Sequence, residues 1–335
     1  MKKILIITDN YDYSSINVMR WLKYAYDSNH VFCIHPNDFI DYKIEINISH
    51  SNATTDLLNR EMKSNEIGVV WTRKWSNDVA DISSSTISDT RLKTIRSQLA
   101  RELNALFEYY IFCINRNPAV FWLNHPQYVT PNKLIQLTIA KEIGLTIPTS
   151  WILNHYSPQI DAKNCITKPL SNCCDIRINN TIYTSYTSKL TGKESYDDLF
   201  ISFVQENIPK EAEIRVFYLL GKCYALLIHS QDNKKTQTDY RKYDYKHPNR
   251  LEPCLLPPDI ESKIDAFMHA MNLQTGSLDF IHTPSGEYVF LEVNPCGQYD
   301  IFNSCNIYPD KLIAEALISK LKQWTSEKKS KERPR

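Results

Sequence analysis

Residues 276–297 read GSLDFIHTPSGEYVFLEVNPCG, two β-like runs around the turn Pro284 to Gly286. That pattern spells an antiparallel hairpin. If Thr283 pairs with Tyr288 around a four-residue loop, Asp279 falls opposite Glu292, and Asn294, two residues on, faces the same way. Val289, Leu291 and Val293 then alternate onto the other face, pack the hairpin on a core and turn the oxygen-bearing face toward a cleft. Two carboxylates across a ladder repel each other. Either water dilutes the repulsion on a solvated edge, or a cation relieves it, and Mg2+ accepts hard oxygen ligands shared with substrate phosphates.

Upstream, the first third alternates apolar runs (Ile4 to Ile7, Val31 to Ile34, Val69 to Trp71, Ala119 to Leu123) with helical stretches at Ser15 to Tyr26, Thr55 to Lys63 and Asp89 to Cys113. This is the rhythm of a parallel α/β layer. The polar stretch Asn124 to Pro131 marks a boundary. Thr130 reads as a cap with Pro131 in the first turn, which puts Lys133 at the start of a helix ending at Gly144. Short β-like runs follow (Trp151 to Leu153, Cys165 to Lys168, Thr181 to Tyr186), then a hairpin of Glu213 to Leu220 and Cys223 to His229 about Gly221 and Lys222. A helix with Ile260, Ile264, Phe267, Met268 and Met271 on one face precedes the carboxylate hairpin. The fold class is α/β and α+β, divided as 1–125, 126–207 and 208–324, with a charged, apolar-poor tail at 325–335 expected to be disordered.

Composition excludes several alternatives. The chain has 335 residues and a net charge of +1, with 39 Lys and Arg against 38 Asp and Glu, so no bulk electrostatic drive toward nucleic acid or an anionic membrane is present. Its nine Cys contain no C-x-x-C pair, and Cys173 and Cys174 are adjacent, which argues for reduced thiols rather than structural zinc. The opening MKKILIITDNYD has only four apolar residues in a row, too few for a signal-peptide core or a span, and a cytoplasmic protein is expected. Seven Gly, none in a G-x-G arrangement, rule out a Rossmann fingerprint and a Walker loop.

Single side chains carry less. Lys168 ends a β-like run and Lys133 opens a helix, and each reads equally as a surface lysine. The segment Gln205, Glu206, Asn207, Ile208 ends a strand whose backbone could bond an adenine ring, or is an ordinary exposed strand end. Glu213 and Arg215 share a strand face, and Arg241 lies in the polar loop TDYRKYDYKHPNR. Phosphoryl chemistry would need such cations, but a solvated loop with aromatic anchors fits too. Arg73 and Lys74 in WTRKW are either cleft contacts or solvent-facing cations.

In order along the chain, PNKLIQLTIAKEIGLTIP, ITKPL, QENI, EIRVFYLLGK, TDYR, GSLDFI and EVNPCGQ resemble the ATP-grasp superfamily over nearly the whole length. The stretch from 239 to 310 is similar to the peptide maturases of graspetide pathways, of the grasp-with-spasm type. That resemblance implies an N-terminal α/β subdomain, a central lid and a C-terminal subdomain. It implies that Lys133 and Lys168 contact ATP phosphates, that Gln205, Glu206, Asn207 and Ile208 hold adenine, and that Glu213 binds ribose. Arg215 and Arg241 then face phosphates and an acyl phosphate, while Asp279, Glu292 and Asn294 carry Mg2+. The implied activity is ATP-dependent activation of Asp or Glu side chains in a ribosomal precursor peptide, closing ester or amide rings with Ser, Thr or Lys. The partner is a peptide with a leader and an acidic, hydroxyl-rich core; homodimers are common among such maturases. Two rival readings are a ligase of free amino acids, like glutathione synthetase or the glutamate-adding enzymes, and a non-catalytic peptide-binding module. The loop LSNCCDIRINN lacks the glycines that many members carry after the second lysine.

Overall fold

The structure is a computed structural model that describes residues 2–10, 12–41, 64–75, 89–155, 160–171, 175–178, 181–184, 186–190, 200–242 and 244–331. The expected helix at Thr55 to Lys63, the Cys173–Cys174 pair and part of the glycine-free loop lie outside these residues. The chain forms two compact units, one of residues 1–129 with 308–335 and one of residues 130–307.

The first unit is built on β1 (Lys3–Ile7), α1 (Tyr13–Ala25), β2 (Val31–Ile34), a single turn α2 (Asp38–Asp41), β3 (Ile67–Thr72), α3 (Asp89–Asn115) and β4 (Phe121–Leu123). Its strands lie in the order β2-β1-β3-β4, all parallel. KILII and IGVVWT are buried at every position, because a parallel sheet is covered on both faces. One face packs Leu5, Ile7 and Val70 against Phe107, Tyr110 and Ile114 of α3, with Trp75 stacked on Phe107 at 3.9 Å between ring centroids.

The helix Pro309–Lys331 also belongs to this unit, with Ile313, Ala314, Leu317 and Leu321 buried. Gly68 permits its approach: a Cβ there would sit 2.8 Å from Leu321 Cδ1. The structure therefore departs from the sequence reading, which assigned residues up to 324 to a C-terminal subdomain and began a disordered tail at 325. SEKKSK consists mostly of good helix formers and contains no glycine or proline, so the helix runs on to Lys331.

Arg73 is not a solvent-facing cation. Its side chain is 2% exposed, and Nε donates to Asp12 Oδ2 at 3.2 Å and Nη2 to Ser14 Oγ at 3.2 Å. Asp12 also caps α1 by accepting from Ser15 N, and Lys74 Nζ lies 3.5 Å from its other oxygen. Burial pushes the Asp12 carboxyl up, but Arg73 and Lys74 outweigh it and hold the group below its usual range. Asp12→Asn removes the Asp12 charge from beside a buried guanidinium and is expected to destabilise this unit by about 3–5 kcal/mol, read as a lower urea midpoint. Because the folded value is depressed, the native contribution is complete above the ordinary carboxylate range and disappears as pH falls through the folded value. An unchanged midpoint in Asp12→Asn would show that the pair is energetically idle.

The second unit carries two antiparallel sheets. The smaller has the order β5-β10-β6-β9, from β5 (Ser150–Leu153), β6 (Cys165–Lys168), β9 (Ser188–Lys189) and β10 (Ser202–Glu206); a separate hairpin pairs β7 (Asp175–Ile178) with β8 (Thr181–Thr184). The larger has the order β13-β12-β11-β14-β15, from β11 (Ala212–Leu219), β12 (Lys222–His229), β13 (Arg250–Cys254), β14 (Thr275–His282) and β15 (Tyr288–Asn294). Leu220 and Gly221, both at positive φ, make the tight turn between β11 and β12, one residue earlier than expected.

Two helices complete the unit. In α5 (Pro258–Ala270), Ile264, Phe267 and Met268 are buried, and the Phe267 ring lies 4.9 Å from that of Phe290 on β15. α4 (Lys133–Ile143) starts on Asn132, whose side chain accepts from Leu134 N, and not on Thr130. The Pro131 carbonyl instead accepts from Gln136 Nε2 at 3.1 Å, so the proline lies before the cap. Lys133 opens the helix as expected, and Gly144 closes it at φ 88°.

Candidate functional site

The strands of the two sheets in the second unit line a cleft of about 800 Å³ including its open mouth. Lys168, Gln205, Glu206, Asn207, Ile208, Glu213, Arg241, Asp279 and Glu292 all line it, so most of the sequence-derived candidates meet in one place.

The carboxylate hairpin shows how they get there. Asp279 does pair with Glu292, but the expected Thr283–Tyr288 pairing is wrong. His282 pairs with Tyr288 instead, while Thr283 turns back through its N–H to Glu287 O and accepts from Gly286 N. Between Asp279 and Phe280 the register shifts, and Leu291 is the extra residue on β15. The bulge restores the Asp279–Glu292 pairing and breaks the alternation. Leu291 consequently lines the cleft beside Glu292 rather than joining Val289 and Val293 in the core. Asn294 ends β15, exposed, with Oδ1 accepting from Cys296 N at 3.0 Å, and is not among the lining residues.

Charge in the cleft is nearly balanced pair by pair. Arg215 Nη1 donates to both Asp279 oxygens at 2.7 Å and Nη2 to Gln298 O at 2.9 Å. Burial pushes the Asp279 carboxyl up, and the neighbouring Glu292 adds to this against the pull of Arg215. Glu292 behaves oppositely: burial would raise it, but Lys168, Lys133 and Arg241 together hold it below its usual range. Lys133 reaches the cleft through Glu292, its Nζ 3.4 Å from Oε2, and also donates to Pro169 O at 2.8 Å and Ser171 O at 3.0 Å. Burial lowers Lys168, which Glu292 partly offsets, and its Nζ lies 5.6 Å from the centre of the Phe203 ring. A buried ammonium of this kind is tolerated because an anion is near.

The remaining wall is polar and locked. Glu206 N donates to Thr149 O and Asn207 N to Asn164 O, so these two N–H groups serve the fold. Gln205 is fully buried, with Nε2 on Ser150 Oγ at 2.9 Å and Oε1 without a partner among the described residues. Glu213 accepts from Lys210 Nζ and from Ser230 Oγ at 3.2 Å, and burial pushes its carboxyl up against the pull of Lys210.

Sequence reasoning missed Lys210, Tyr240, Asp239 and Gln136. Lys210 was detectable as the lysine three residues before Glu213. Tyr240 directly precedes the identified Arg241 in TDYR and lines the cleft, where burial drives its hydroxyl far above its usual range. Gln136 is 2% exposed and accepts from Val293 N at 2.8 Å, which ties the helix bearing Lys133 to the strand bearing Glu292. Nothing local in the sequence announces that bond.

Among the described residues, no group of three or more His, Cys, Asp or Glu side chains is gathered as a metal cage. Asp279 and Glu292 form a facing pair, and Glu292 Oε2 is buried without a hydrogen bond of good geometry. That donor set suits Mg2+, which uses one or two carboxylates and completes its shell with water and phosphate oxygens. No helix among the described residues is long and apolar enough to cross a membrane.

No family model matches this sequence, and no curated protein matches it. Solved structures do. Macrocyclase MdnC from Microcystis aeruginosa MRC, bound with the precursor peptide MdnA, is 22% identical with a TM-score of 0.75 over 95% of this chain and 99% of its own. A Chryseobacterium gregarium RiPP-associated ATP-grasp ligase, in complex with ADP and a leader and core peptide, is 23% identical with a TM-score of 0.75 over 96% and 97%. The ATP-grasp ligase PsnB, complexed with a minimal-precursor variant, Mg and ADP, is 16% identical with a TM-score of 0.70 over 96% and 99%. The fold of this chain is the ATP-grasp fold.

Proposed function

We propose that the protein is an ADP-forming, Mg2+-dependent ligase that activates side-chain carboxylates of a ribosomal precursor peptide and closes them onto hydroxyl or amine side chains of the same peptide. The observation that carries this reading is the Asp279–Glu292 pair lining one cleft with Lys168 and Arg241, with Arg215 paired to Asp279 and Lys133 beside Glu292. The peptide, ADP and Mg found with the three similar ligases support it. On this reading residues 126–207 form the lid and 208–307 the base of the cleft; a leader is held by the first or central part, the enzyme pairs as a homodimer, and the reaction runs in the cytoplasm.

Lys133 and Lys168 hold phosphate oxygens of ATP, Gln205 to Ile208 border the base, and Glu213, oriented by Lys210 and Ser230, takes the ribose hydroxyls. Asp279 and Glu292, with Asn294 at the strand end, would hold Mg2+, whose charge neutralises the polyphosphate. Arg215 and Arg241 stabilise the oxygens of the transferred phosphoryl group. A peptide carboxylate oxygen attacks the γ-phosphorus, ADP leaves, and an acyl phosphate results. A hydroxyl or amine of the peptide then attacks the acyl carbon, gives up its proton and expels inorganic phosphate. Each ring costs the peptide one water and consumes one ATP. Holding both groups of one chain together makes the second step effectively unimolecular.

Intact mass spectrometry of a small acidic, hydroxyl-rich peptide encoded beside this chain, after co-expression, tests the proposal. Successive losses of one water are expected, and none with Asp279→Ala/Glu292→Ala. An unmodified peptide, with ATP consumed only when free amino acids are supplied, would replace this reading by ligation of separate substrates.

A further inference from the structure

Asp239 has no part in holding ATP or metal in this scheme, yet it is one of the most heavily bonded carboxylates in the cleft. Its Oδ1 accepts from Arg241 Nε at 2.8 Å and from Arg241 N at 3.1 Å. Its Oδ2 accepts from Arg241 Nη2 at 2.7 Å and from Thr187 N at 3.3 Å. The two side chains differ sharply in exposure, 3% for Asp239 and 41% for Arg241, so the carboxylate is the buried anchor and the guanidinium the accessible head.

The pairing does more than neutralise a charge. A guanidinium is a planar fork, and a carboxylate that takes Nε and Nη2 fixes that plane while leaving Nη1 without a partner among the described residues. The second link reaches the other sheet. Thr187 precedes β9, whose Ser188 pairs with Thr167 on β6, one residue before Lys168. Lys168, Thr187, Asp239 and Arg241 thus belong to one hydrogen-bonded frame that bridges two walls of the cleft. Lys242 Nζ, 5.7 Å from the Tyr186 ring centre, makes a second contact along the same seam.

We propose that Asp239 is a positioning residue: it aims the Arg241 guanidinium into the cleft and, through Thr187, latches β9 to the Arg241 loop, so that Arg241 and Lys168 keep a set spacing. The kinetic part of this inference rests on the ligase reading above; the latch itself does not. Burial would raise the Asp239 carboxyl, but Arg241 outweighs it and keeps the carboxylate ionised at neutral pH, as a four-donor acceptor must be.

In Asp239→Asn one oxygen becomes an NH2 that opposes N–H donors, which should loosen both links at once. Three readouts test it. Hydrogen exchange of the Thr187 and Ser188 amides, in protein free of peptide and nucleotide, is expected to quicken at least about tenfold. In turnover, kcat for water loss should fall about a hundredfold, with KM for ATP within about threefold of wild type. Combined with Arg241→Met, it should add almost nothing to the loss that Arg241→Met causes alone, since a pointer matters only while the pointed group is present. Unchanged exchange, unchanged kcat, or losses that multiply in the double variant would each overturn the proposal. If Asp239→Asn does not fold, Asp239→Glu keeps the charge but displaces the fork, and the same three readouts apply with the same signs. A wild-type protein that modifies no peptide would refute the ligase reading, and the exchange result would still decide the latch.

Discussion

Glu292→Gln is expected to slow peptide dehydration by at least about a thousandfold while leaving the protein folded. Three cations surround this carboxylate, with Lys133 Nζ 3.4 Å away and Lys168 and Arg241 close enough to hold it ionised. Gln fills the same space but supplies neither the anionic metal oxygen nor the counter-charge that lets two buried lysines coexist. Metal assistance to phosphoryl transfer is worth several kcal/mol, and about 4 kcal/mol corresponds to a thousandfold at roughly 1.4 kcal/mol per decade. The decisive measurement is nucleotide affinity by calorimetry, with and without Mg2+. Wild type should bind ATP more tightly with the metal, and Glu292→Gln should lose most of that difference. A variant whose ATP binding still responds fully to Mg2+ would remove Glu292 from the metal site.

Arg241→Met should be comparably severe by a different route. An arginine that meets the transferred phosphoryl group only in the transition state contributes about 10³–10⁵ in rate where such arginines are known. A loss of about 10³ in kcat, with ATP affinity within a few-fold, is therefore expected. The split between kcat and KM matters because removing a ground-state phosphate contact would weaken ATP binding instead. Arg241→Lys should rescue little, since an ammonium cannot occupy both Asp239 oxygens and still present a fixed donor edge. Near wild-type kcat in Arg241→Lys would show that charge alone suffices. Melting temperatures close to wild type are needed alongside, because Asp239 is left buried without its partner.

Much of this was readable from local pattern. KILII and IGVVWT have the apolar continuity of strands covered on both faces, and they are such strands. The Asp279–Glu292 opposition was also readable, although the route to it was not. A hairpin with a one-residue bulge and a shifted loop produces the same opposition as an unbulged one, and the sequence GEYVFLEVN carries no mark that Leu291 is the surplus residue. Asn132 displaced Thr130 as cap, in line with the stronger capping preference of asparagine; reading Thr130 as the cap gives more weight to Pro131 in the first turn. Gln136 and Asp239 were illegible for a deeper reason. Gln136 bonds Val293, 157 residues away, and Asp239, besides its local bonds to Arg241, bonds Thr187, 52 residues away; a polar side chain that spans such a separation leaves no periodicity behind. The helix Pro309–Lys331 was not read from the sequence at all, because the charged, apolar-poor segment at its end reads as a disordered tail.

That last helix has a consequence for the order in which the molecule can be made. The first unit is discontinuous: its sheet is complete in sequence by Leu123, yet the helix that packs on β3 and α1 comes only after the whole of residues 130–307. On a ribosome, where units fold as they emerge, the first-synthesised sheet must wait with one face only partly covered, by α1, until the whole intervening unit has been made.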